Sequence, residues 1–168
     1  MRLGAVLFAC LIGASNASAQ NFVALNKDAM QVGTELHYET NNNQIERRVV
    51  THNDGKEIWV DVFANETDTS PARTRILNSR GQVVLVLYPD GKTQTIEPTS
   101  CFRVIGTCDY TSTFTGKRSS NVRYVSKFSE PVMLVRLLNN GPHGTGGIPL
   151  GTFIFHFNSD GIMTLEGI

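Results

Sequence analysis

The sequence predicts an all-β protein, an antiparallel meander closed into a barrel or bent into a curved half-barrel. Three observations lead there. Apolar and polar residues alternate with a period of two along most of the chain, the signature of half-buried strands. The alternating runs are separated by short turns, several of them carrying Asp-Gly, which favours tight hairpins. Almost nothing is long and helical enough to cross between parallel strands. A barrel hides the edges that an open sheet would expose, whereas a two-sheet β-sandwich is the alternative architecture. An immunoglobulin-type sandwich fits poorly, because its inter-sheet bridge spans far more sequence than the two nearby cysteines here.

In chain order, Arg2 is followed by the apolar run LGAVLFACLIGA and the small residues SNASA. A positive start, a short hydrophobic stretch and an Ala17-Ser18-Ala19 cleavage pattern together predict a signal peptide over 1–19. The run is shorter than the roughly 20 residues that a membrane-spanning helix needs. Residues 20–168 are then expected to form a single soluble domain, periplasmic in a bacterium and otherwise secreted. Next, "NFVALNKDAMQ" (21–31) sets Phe22, Leu25 and Ala29 on one side, which predicts one short N-terminal helix.

Strands follow. "TELHYET" (34–40) alternates Leu36 and Tyr38 against Glu35, His37 and Glu39, and "EIWVDVF" (57–63) sets Ile58, Val60 and Val62 against Trp59, Asp61 and Phe63. His52-Asn53-Asp54-Gly55 joins two such runs between 45 and 63, "NSRG" precedes QVVLVLY (82–88), and "PDG" leads into KTQTIEP. Further strands are expected near 72–78, 108–115, 120–128 and 132–139, and "NSDG" separates GTFIFHF (151–157) from IMTLEGI. The segments 64–72 and 139–149, rich in turn residues, read as loops. This hairpin-rich pattern resembles, in architecture alone, bacterial envelope proteins that carry apolar cargo inside a curved sheet; no specific motif accompanies the likeness.

The chain carries 15 basic and 15 acidic residues with no basic stripe, so no nucleic-acid or anionic-membrane partner is predicted. Phosphate-binding loops, dinucleotide fingerprints, nucleophile elbows and zinc-protease motifs are all missing. His37, His52, His143 and His156 are isolated from any second ligand at metal spacing, so neither metal nor cofactor is expected. Loss of Cys10 with the signal leaves Cys101 and Cys108, whose six-residue gap fits neither a redox pair nor a zinc knuckle. In an oxidising compartment the pair reads as a disulfide. The expected geometry is a cross-strand pair closing a four-residue loop, Arg103-Val104-Ile105-Gly106. Val104 and Ile105 at its tip are apolar, so they either fold onto the core or touch a ligand or partner.

Two functions are compatible with these features. The first is a non-catalytic domain binding an apolar or anionic amphiphilic ligand, or an envelope protein. Its candidate residues are Arg136, Trp59, Val104, Ile105 and His143. Arg136 stands out because "VMLVRLLNN" is apolar on both faces. A guanidinium there calls for an internal carboxylate, such as Glu35, Glu39 or Asp61, for a strand end that lets the long side chain reach water, or for an acidic ligand head. Trp59 is expected partly buried near a cavity rim. The second function is a small hydrolase in which His143 of "PHGTGG" works with Asp109 or Asp160 beside a nest of backbone N–H groups.

Overall fold

The computed structural model describes residues 23–39, 44–101, 103–117, 119–139 and 148–167. The predicted signal peptide over 1–19 lies outside them, as does His143. Among the described residues, eleven strands form one antiparallel sheet in strict sequence order. They are β1 (Glu35–Glu39), β2 (Ile45–Asn53), β3 (Glu57–Phe63), β4 (Arg73–Asn78), β5 (Val83–Leu87) and β6 (Thr93–Glu97), then β7 (Gly106–Phe114), β8 (Ser120–Ser129), β9 (Val132–Asn139), β10 (Ile148–Phe157) and β11 (Met163–Gly167). The period-two pattern works as read: Ile58, Val60 and Val62 are buried along the inner side of β3. The sheet curls until β1 and β11 lie side by side. No ladder joins them among the described residues, so the architecture is a strongly curved half-barrel.

The turns after β2, β4, β6, β8 and β10 all fall at one end of the sheet. Residues 23–33 cross that end as a strap. Asn26 N–H donates to the Asp160 carbonyl at 2.8 Å, and Asn53 Nδ2 donates to the carbonyls of Lys27 (3.0 Å) and Met30 (2.8 Å). Val23 N–H donates to the Arg103 carbonyl at 2.9 Å. These tertiary partners explain why the helix expected over 21–31 shrinks to one 3₁₀ turn, Lys27–Ala29. So short a helix is marginal alone, and the turns beneath the strap supply the bonds that helical neighbours would have made. Leu25 and Met30 point inward, and Met30 packs with Val50, Ile58, Val60 and Ile162.

Cys101 and Cys108 form a disulfide with Cα atoms 5.3 Å apart. Its setting differs from the cross-strand pair expected. Cys101 ends a second 3₁₀ turn (Thr99–Cys101), and Cys108 lies inside β7. Arg103 (φ 66°) and Gly106 (φ 119°) turn the chain twice within a few residues, so no facing strand can form before β7. Ser126 Oγ donates to the Val104 carbonyl and holds the loop down. Thiol labelling of folded protein without reductant is expected to find neither cysteine free, and Cys101→Ser with Cys108→Ser to cost ~2.5 kcal/mol for so small a ring. Modification of both thiols in native, unreduced protein would contradict the pairing.

Candidate functional site

The interior of the curved sheet is not fully packed. A cavity of about 350 Å³ lies between two unlike walls. On one wall, β9 contributes Met133, Val135 and Leu137, and β10 contributes Phe153 and Phe155. The register brings these strands together, with Val135 opposite Phe153 and Met133 opposite Phe155. The Phe153 and Phe155 rings stack with centroids 6.2 Å apart. Facing them are Tyr38 from β1, Arg48 from β2, Val60 from β3 and Arg75 from β4. Leu25, Met30, Ile162 and Arg103 line the strapped end.

Three guanidinium groups therefore border an otherwise largely apolar space, and no carboxylate lines it among the described residues. Their circumstances differ. Arg48, only 6% exposed, pairs with Glu46 and lies over the Tyr38 ring at 3.7 Å. Glu46 also accepts from Arg73 Nη2 at 2.7 Å, forming a carboxylate shared between two arginines. Arg75 pairs in the ladder with Val60 and Val86 and acts electrostatically on Tyr38. Burial raises the Tyr38 phenol, with the Arg48 charge opposing the shift. Tyr124 is pushed up to about 12, again by burial, and its hydroxyl donates to Met133 Sδ at 3.3 Å. Both phenols are neutral at physiological pH.

Arg103 reaches inward from the disulfide loop. Its Nη2 donates to the Gly161 carbonyl, and its guanidinium carbon lies 5.1 Å from the Phe157 ring centre. Nη1 is buried without an acceptor among the described residues. Gly81 lies beside it, and a Cβ there would stand 2.6 Å from Nη1 in this position. Burial lowers Arg103 to about 10, and it is cationic at neutral pH.

The residues singled out by sequence do not gather here. Arg136 lies on the outer face, exposed, opposite Val125 and Thr152 on its neighbouring strands. The two faces of β9 were separated correctly, but Met133, Val135 and Leu137 take the inner one, so neither interior account of Arg136 applies. Trp59 is also on the outer face, 36% exposed, rather than at a cavity rim. Its ring meets His52 edge-on at 5.7 Å, and its Nε1 donates to Glu57 Oε2 at 3.2 Å. Val104 is buried and Ile105 packs against the core, so the loop tip folds onto the protein itself. Asp109 binds Arg123 through both carboxylate oxygens (2.8 and 2.9 Å), while Asp160 accepts from Asn26 Nδ2 at 2.9 Å.

Arg48, Arg75 and Arg103 went unread in the sequence. Arg48 and Arg75 each share a strand face with apolar residues, Val50 and Leu77 respectively, and that alternation was the available signal. Among the described residues no three His, Cys, Asp or Glu side chains gather as a metal site, and no helix is long and apolar enough to cross a membrane. The chain matches no family model, no curated protein and no solved structure.

Proposed function

We propose that this is an exported, non-catalytic binding protein that holds a small apolar or amphiphilic molecule inside its curved sheet. The observation that carries this reading is the interior cavity of about 350 Å³, walled by Met133, Val135, Leu137, Phe153 and Phe155. That volume falls within the roughly 300–1,000 Å³ of ligand pockets, and such pockets are mainly apolar with a few converging polar groups. A domain evolved only for stability fills its interior to near-crystalline density. Export agrees with the disulfide, since such bonds persist in oxidising compartments. The hydrolase alternative gains no support from Asp109 and Asp160, both of which are engaged in bonds of their own.

The test uses N-phenyl-1-naphthylamine, an uncharged probe that fluoresces in apolar surroundings. Wild-type protein is expected to bind it with a blue-shifted, enhanced emission. Val135→Trp, which fills the cavity from its centre, is expected to weaken that binding at least tenfold while the protein still melts cooperatively. No enhancement with wild-type protein, or equal affinity in folded Val135→Trp, would refute an internal site.

A further inference from the structure

We infer that Arg103 anchors the acidic head of an amphiphile, a carboxylate or a phosphate monoester, whose chain lies against Met133, Val135 and Phe155. This rests on the internal binding site proposed above and specifies its ligand.

The three arginines at the cavity are not equivalent. Arg48 has the Glu46 carboxylate, and Arg75 already has interactions of its own. Arg103 has a backbone carbonyl and an aromatic face, neither of which carries a full negative charge. A guanidinium offers five donors in a fork suited to two oxygens of one anion. Here one arm is tied to Gly161 while Nη1 stays buried, without an acceptor among the described residues, beside the cavity. Burying such a cation without a counter-charge is costly, and an anion in the cavity offsets that cost. The depression of Arg103 by burial has the same origin, and it leaves the side chain charged at neutral pH.

The anchor is also held in place. Arg103 sits in the ring closed by Cys101 and Cys108, its carbonyl accepts from Val23 N–H at 2.9 Å, and Gly81 leaves room for its head. Preorganisation of this kind reduces the ordering cost of binding. The opposite wall supplies the chain's surroundings. Met133 adapts to a flexible chain, and Phe153 and Phe155 present an aromatic surface beside it. A neutral apolar molecule would use that wall alone. The arginines make sense for a ligand that is charged at one end.

Competition against N-phenyl-1-naphthylamine with three ligands of equal chain length tests this. Dodecanoate and dodecyl phosphate are each expected to bind wild-type protein at least tenfold more tightly than dodecanol. In Arg103→Met the anions should lose their advantage and bind no more tightly than dodecanol does to the same variant. A preference for one anion over the other identifies the head group as carboxylate or phosphate. Equal binding of anions and dodecanol by wild-type protein overturns the anchor but leaves the internal site standing; so does a folded Arg103→Met that keeps the preference. Failure of every ligand and of the probe overturns both. Should Arg103→Met not fold, phenylglyoxal modification of wild-type protein decides. Dodecanoate should protect Arg103 and dodecanol should not, and equal protection or none by both counts against the anchor.

Discussion

Gly161→Ala is expected to destabilise the protein by about 3 kcal/mol, lowering the thermal midpoint by about 10 °C. Two effects coincide at this position. Gly161 adopts φ +65°, where an L-residue loses about 1–2 kcal/mol. A Cβ there would also overlap the carbonyl oxygen of Ala24, a backbone atom of the strap with no flexible side chain to yield. The strap must move, and Asn26 then loses its bond to the Asp160 carbonyl. Gly91→Ala separates the two effects, because Gly91 has φ +78° with nothing near its would-be Cβ. It should cost only the conformational part. Urea unfolding of the two variants gives the comparison, and equal losses would mean that the strap contact contributes nothing.

Glu46→Gln should cost a similar amount, about 3 kcal/mol. The carboxylate is shared by Arg48 and Arg73, and Arg48 lies among the least exposed polar residues of the fold. Removing one partner of a buried pair leaves the other charge poorly compensated, which is worse than never having had the pair. That asymmetry makes the prediction specific. Combining Glu46→Leu with Arg48→Met should recover much of the loss, since two apolar side chains need no compensation and the Arg73 side chain, 30% exposed, still reaches water. If Glu46→Gln unfolds within 1 kcal/mol of wild type, the shared carboxylate is only a surface ion pair with modest strength.

The strands were legible because alternation and turn chemistry agree along the whole chain. Asp54-Gly55, Asp90-Gly91 and Asp160-Gly161 each mark a hairpin, and the runs between them have clear inner and outer faces at β1, β3 and β10. The N-terminal segment misled because Phe22, Leu25 and Ala29 have helical spacing, whereas the bonds that fix 23–33 come from Asn53, Asp160 and Arg103, residues distant in sequence. In β9 the difficulty was different. Both faces are apolar, so periodicity separates Met133, Val135 and Leu137 from Val132, Leu134 and Leu138 without saying which set is inside. Arg136 was placed inward for that reason. Of the three arginines that do line the cavity, Arg48 and Arg75 follow strand alternation, whereas Arg103 sits in the disulfide loop at φ 66°, where no periodicity exists to mark it.

An odd number of strands has a consequence for how this fold is completed. Consecutive strands alternate in direction, so β1 and β11 run the same way where they meet. Every ladder joins neighbours in sequence, and each needs only a short chain closure, so the ten pairings can accumulate locally. The join between β1 and β11 is the exception, since it brings together residues separated by almost the whole chain. During synthesis it must wait for the last strand to emerge. Until then the concave apolar wall of β9 and β10 faces solvent. Aggregation risk is therefore concentrated in that interval before closure. The bond between Asn26 and Asp160, which links the segment leading into β1 with the turn leading into β11, ends it.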